Sequence, residues 1–305
     1  MHTHSYHGIR WLDSFSPDEE ELEDIADHEH IDPFIVQDIL APTPYAYVGE
    51  HGDALYAVFH FPVFRLSHTD DKQQELDLVI KDGFLMTVRY DFLEPLEVLA
   101  GKIKTQEYLS KNRSQPTTHS IHLANTILKE MYMGVSLDLR AFTDWLHSIE
   151  DKIYIGKEKE MVTEISLAAR ELTEFRSLIH EHEHFLEQFN ELGLKVFGLQ
   201  FKESFKDVMR EFKIVHRQTQ FLTELVTELR ETNNSLVSTK QNEIMKVLTI
   251  MAFVTFPLSL IASVFGMNVV DMPVVGQPND FWIIVGAMGV GMFFMFLFFR
   301  YKKWL

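Results

Sequence analysis

Asn242, Thr249, Phe256 and Ser263 recur every seven residues, and Met245, Ala252 and Ser259 fall between them. Apart from Phe256 these side chains are polar, small or flexible, and no charged residue occurs from Val247 to Phe265. A polar stripe through an otherwise apolar helix is the pattern of a pore face; the other faces carry Val247, Ile250, Val254 and Ile261. Small residues at the same spacing also serve ordinary helix packing in a membrane. Gly266, just past the run, reads by position alone as a helix C-cap with Asn268 as a turn residue. His180 and His184 stand at i and i+4, the spacing of two zinc ligands on a helix. No His-Glu-x-x-His motif accompanies them, and alternating Glu and His on a helix reads as solvated surface. Neither a phosphate-binding glycine loop nor a nucleophile–base set is present, so ATP-driven chemistry is not expected.

The elements that hold the stripe are two uncharged runs, Val247 to Phe265 and Phe281 to Phe299. Each is about 19 residues, roughly 28 Å as helix, against a hydrocarbon layer of about 30 Å. Arg300, Lys302 and Lys303 follow the second run, whereas Gly266 to Asp280 holds Asp271 and Asp280 but no Lys or Arg. The positive-inside rule then puts both termini in the cytoplasm and the loop outside. Trp282 and Trp304 bracket the second run, where interfacial aromatics belong.

The 305 residues carry a formal net charge of -17 and no cysteine. The acidic balance argues against nucleic acid and suits either a handler of cations or a large soluble part kept in solution. Thiolate metal sites and disulfides are excluded. The N-terminus, rich in His and followed by Asp18 to Glu21, lacks the basic start and apolar core of a signal peptide. The first third reads as α/β. Short helices are expected at Glu19 to Ala26, Phe34 to Leu40 and Glu94 to Lys104. Strands are expected at Ala54 to Leu66, Leu76 to Ile80 and Phe84 to Tyr90, the last two joined by a Lys81-Asp82-Gly83 turn. A boundary falls at Asn112 to Thr118. From His119 the pattern is helical, with breaks at Gly156 and Gly193. Phe201, Phe205, Val208, Phe212, Val215 and Leu222 keep a bundle rhythm, and nothing stops that helix before the membrane. From Phe201 to Val264 it would be roughly 95 Å long.

Three segments follow: an α/β domain over 1–116, a helical domain with a stalk helix over 117–243, and a membrane domain over 244–305 with spans 247–265 and 281–299 and an outer loop 266–280. The order Asn242-Glu243-Ile244-Met245-Lys246, then Pro257-Leu258, Gly266-Met267-Asn268, Met272-Pro273, a second span and Lys302-Lys303-Trp304-Leu305 resembles the CorA family of magnesium channels. The match is most specific over the last ~65 residues. The resemblance implies an α+β cytoplasmic domain, a long stalk helix and two C-terminal transmembrane helices in a funnel-shaped homopentamer of the inner membrane. It implies uptake of hydrated Mg2+ down its electrochemical gradient, gated by cytoplasmic Mg2+, with no enzymatic activity. First-span helices would line the pore through Asn242, Met245, Leu248, Thr249, Ala252, Phe256, Ser259 and Ser263, with Met245, Leu248 and Phe256 as apolar constrictions. Gly266, Met267 and Asn268 would form the selectivity filter, neutral oxygens holding an ion that sheds water reluctantly. Asp207, 35 residues before Asn242, would hold regulatory Mg2+ with a neighbour's acidic loop containing Asp70 and Asp71.

Two departures from the family pattern matter. Phe265 stands where the family usually has Tyr, and Val274 where it often has Glu, so Asp271 or Asp280 would have to gather cations at the outer loop. The alternatives are a ZntB-like transporter of Zn2+, Co2+ or Ni2+, suggested only by the fifteen histidines, and a membrane-anchored sensor that conducts nothing.

Overall fold

The structure, a computed structural model, describes residues 2–64, 73–110, 119–267, 274–276, 278–302 and 304. It divides into two compact units, Met1–Arg230 and Glu231–Leu305.

The first unit is built on a six-stranded sheet ordered β1-β2-β6-β5-β4-β3. The strands are β1 His2–Tyr6, β2 Ile9–Phe15, β3 Tyr47–His51, β4 Ala54–Pro62, β5 Gln73–Lys81 and β6 Phe84–Arg89. Only the β2–β6 pair is parallel. The expected β5–β6 hairpin closes with Lys81 opposite Phe84, and Gly83 at φ 71° supplies the left-handed backbone the turn requires. Every residue of β4 and β6 is buried, because the sheet is covered on both faces. On one face α1 (Glu19–Glu29) and α2 (Pro33–Ile39) pack Leu22, Ile25, Ile35 and Ile39 against Tyr56, Val58, Val79 and Met86. Asp18 caps α1 by accepting from the Glu21 N–H at 2.8 Å, and Asp32 does the same for α2 from Phe34 at 2.9 Å.

The other face meets two long helices, α4 (Ser120–Tyr154) and α5 (Glu158–Phe197), with α3 (Glu94–Ser110) alongside α4; the start of α6 (Leu199–Phe265) packs on this pair, Phe201 and Phe205 against Phe189 and Phe212 against Tyr132. Buried residues on α5 run Met161, Ile165, Ala168, Leu172, Phe175, Ile179, His182, Leu186, Phe189, Gly193. On α6 they run Phe201, Phe205, Val208, Phe212, Val215, Thr219, Leu222, Val226, Leu229. Both follow the alternating three- and four-residue step of a coiled-coil seam. Hydrogen bonds Asn125–Ser204 (2.6 Å) and Ser136–Gln218 (2.8 Å) set α4 parallel to α6. His182 ties bundle to sheet: its Nε2–H donates to the His60 carbonyl of β4 (2.9 Å), and the Tyr132 hydroxyl of α4 donates to its Nδ1 (2.8 Å).

Several expectations change. The chain breaks at Gly156 as expected, but not at Gly193. That glycine is helical and buried, and a Cβ there would lie 2.2 Å from the Phe201 ring, so it permits close helix approach. The break comes at Gly198, with φ 66°. Strands β1, β2 and β3 were not expected. β1 is an edge strand with alternating His, and β2 buries Asp13 and Ser14 among its apolar residues, so neither reads as a strand pattern. Asp13 is buried because Arg89 (2.9 Å) and Thr87 (2.8 Å) donate to it. β4 ends at Pro62; the expected continuation to Leu66 and the boundary at 112–118 lie largely outside the described residues.

Candidate functional site

The second unit holds the end of α6 and all of α7 (Asp280–Tyr301), and both helices are long and apolar enough to cross a membrane. α6 continues through Pro257 to Phe265 without interruption. Its partly covered residues include Ile250, Val254, Pro257, Leu258, Ile261 and Phe265, one stripe at helical spacing. On α7, after its first residue Asp280, the covered positions are Ile284, Met288, Gly291, Met295 and Phe299. Of the proposed pore residues, Asn242, Met245, Leu248, Phe256, Ser259 and Ser263 are exposed, and Thr249 and Ala252 are half-covered. At about 100° per residue, the mean direction of these eight lies about 170° from the covered stripe. The polar face is therefore directed away from the packing that the chain itself provides. Thr249 donates its hydroxyl proton to the Met245 carbonyl at 2.7 Å, which leaves the oxygen as an acceptor on that face.

The turn after Phe265 differs from a simple C-cap. Gly266 does not take the left-handed backbone. Its N–H bonds the Ala262 carbonyl at 2.9 Å and the Ser263 carbonyl at 3.2 Å, and the Met267 N–H bonds Val264 at 3.3 Å. A Cβ on Gly266 would come within 3.1 Å of the Ala262 oxygen, so a side chain would crowd the last turn. Gly266 and Met267 are exposed; Asn268 and Asp271 lie outside the described residues. Asp280 accepts from the N–H groups of Gly276 (3.1 Å) and Phe281 (2.7 Å), so it anchors the loop to the start of α7. Val274, in the place of the family's frequent Glu, takes φ 79°, which is strained for a β-branched residue.

In the first unit, Asp207 is half-exposed and pairs with Arg210 on its own helix at 2.8 Å. Asp70 and Asp71 lie outside the described residues. His180 and His184 are exposed, facing Glu183 at 4.0 Å and Glu187 at 3.9 Å on the same helix. Among the described residues no group of three or more His, Asp or Glu converges as a metal site.

The family model described as CorA-like Mg2+ transporter protein matches residues 6–303. The chain belongs to that family. It is a divalent-cation transporter, a membrane protein, and not an enzyme. The cobalt/magnesium transport protein CorA of Methanocaldococcus jannaschii is 24% identical over 295 residues, covering 97% of this chain and 91% of the relative. The protein of the same name from Thermotoga maritima is 32% identical over 170 residues, covering 55% and 48%. Among solved structures, the complete CorA magnesium transporter of M. jannaschii matches with a TM-score of 0.82 at 22% identity, covering all of this chain and 94% of its own. The full-length CmaX protein matches at 0.71 and 14% identity, covering 96% and 88%. The CorA fold thus extends over both units.

Sequence reading missed one surface of this CorA chain. Lys202, Lys206, Arg210, Lys213 and Arg217 form a basic stripe along α6, and their spacing of four, four, three and four was the available signal.

Proposed function

We propose that the chain forms a homopentameric channel that admits hydrated Mg2+ to the cytoplasm through a pore lined by the exposed face of α6. The observation that carries this reading is the opposition between that polar face and the covered stripe. A lone anchor has no use for hydroxyls turned away from its packing, whereas copies arranged around an axis would point them into a common lumen. Asn242 and Thr249 would meet the ion's water shell at the cytoplasmic end, and Ser259 and Ser263 nearer the outside. Met245, Leu248 and Phe256 would be apolar rings able to gate by losing water. The C-terminal end of α6 carries the negative end of the helix dipole, so several copies would gather a cation at the outer mouth. There Gly266, Met267 and Asn268 would select among hydrated ions. Neutral oxygens suit Mg2+, which keeps its octahedral water shell; the relatives named for cobalt make Co2+ a second cargo.

Both termini would be cytoplasmic, with Arg300, Lys302 and Lys303 on the inner face of the cytoplasmic membrane. The membrane potential would drive entry, at about 2.3 kcal/mol per charge per 100 mV and roughly twice that for a divalent ion. Regulatory Mg2+ at Asp207 would compete with the Arg210 guanidinium for the carboxylate.

The cysteine-free chain allows a direct test. Ser263→Cys and Ile261→Cys are reconstituted in liposomes and treated with a charged, water-soluble thiol reagent. Mg2+ flux should be blocked in Ser263→Cys and spared in Ile261→Cys; equal sensitivity would remove the pore-face assignment.

A further inference from the structure

We infer that the groove between α5 and α6 is the seat of helix α1 from a second copy of this chain. This rests on the ring proposed above and goes beyond it by naming the surfaces that meet in the cytoplasm.

The groove encloses about 930 Å³ and has an apolar floor that includes Leu186, Phe205 and Phe212. Its α6 wall is the basic stripe of Lys202, Lys206, Arg210, Lys213 and Arg217, all exposed. Its α5 wall brings Glu183 and Glu187, whose carboxylates lie near His180 and His184 of their own helix. Five Lys and Arg therefore stand against two carboxylates, in a chain whose formal charge is -17. Arg210 already engages Asp207. The remaining four cations have the spacing to meet an acidic helix laid along them.

α1 fits that description. Leu22 and Ile25 are buried on the sheet, while Glu20, Glu23, Asp24 and Asp27 lie exposed on its outer side. Glu19–Glu29 contains no Lys or Arg. Its 11 residues span about 16 Å, within the roughly 22 Å from Lys202 to Arg217. α1 covers the sheet face opposite to the one that meets α4 and α5. One chain thus carries an acidic ridge on one side and a basic groove on the other. A closed ring requires such a pair, because each copy must meet its neighbours through two different surfaces.

The test uses the full chain in mild detergent, carrying Glu23→Cys together with Lys206→Cys; both sites are exposed and the background holds no other thiol. Mild oxidation should give a ladder of covalent multimers on a non-reducing denaturing gel. The ladder should collapse with reductant and be absent from each single variant. Adding Lys213→Glu and Arg217→Glu should reduce cross-linking at least tenfold. Native mass spectrometry of the same samples separates the failures. An intact ring without a ladder overturns the α1 seat and leaves the ring standing, with the groove then open to an acidic partner of another kind. A cross-link confined to single subunits also overturns it. A monomeric wild type removes the ring and this inference together.

Discussion

His182 should make the first unit acid-sensitive, and the size of the effect follows from its surroundings. The imidazole is fully buried between β4 and the bundle, donating to the His60 carbonyl and accepting from Tyr132. Burial is the main cause that pushes its pKa from 6.5 down to about 4, and the nearby His60 works in the same direction against the hydrogen bond to the His60 carbonyl. The unfolded chain protonates near pH 6.5 while the folded state stays neutral. In the window from 6.5 down to about 4 the unfolded state therefore binds more protons, and stability falls as pH falls. The full difference is about 3 kcal/mol at 1.36 kcal/mol per unit, reached near pH 4 and constant below it. His182→Gln keeps one donor and one acceptor but cannot titrate. Its packing defect shifts stability equally at every pH, so the reading is the change with pH in the gap between wild type and variant. At about 2–4 °C per kcal/mol for a unit of this size, the wild type should lose about 6–12 °C in Tm relative to the variant between pH 7 and 4. Thermal unfolding in detergent, followed by intrinsic fluorescence, measures this. Parallel Tm curves for the two proteins would refute the reasoning.

Three further outcomes are expected. Gly193→Ala should lower stability by about 1–3 kcal/mol, because its Cβ meets the Phe201 ring at 2.2 Å and the junction of α5 and α6 must open; thermal unfolding measures the loss. Asp77 is fully buried and is held above the usual carboxylate range by burial and then by Glu75. Its folded state binds the proton more tightly than the unfolded chain does, so Asp77 lowers stability as pH rises above about 4; Asp77→Asn should gain in Tm on wild type from pH 4 to 8. Asp207→Lys should make the protein resistant to limited proteolysis with or without Mg2+, whereas wild type should gain resistance only when Mg2+ is added.

The membrane unit and the bundle were legible because one physical signal dominates each. Uncharged length marks α6 and α7, and the three- and four-residue step of apolar side chains marks α4, α5 and α6. The sheet was half legible. β4, β5 and β6 are buried on both faces and rich in apolar residues, but β1 and β2 depend on partners distant in sequence. Asp13 and Ser14 look like loop residues until Arg89 and Thr87, more than seventy positions away, arrive beside them. Gly193 and Gly198 show the same limit. Only Gly193 reads as a break, and only the position of Phe201 tells that it must stay helical while the chain turns at Gly198. Among the proposed site residues, seven of the eight on α6 stand out by their period, and Leu248 does not. Asp280 could not be read as a loop anchor, because its role depends on the backbone of Gly276.

The proposed passage of a hydrated divalent ion past neutral groups at the end of α6 has a direct test: Mg2+ entry into liposomes that hold an indicator dye and an imposed inside-negative potential, with wild type and Asn268→Ala compared at equal, verified oligomer content. Potential-driven Mg2+ entry is expected through wild type and none above background through Asn268→Ala. Undiminished entry through Asn268→Ala, or no entry through wild type, would contradict the proposal.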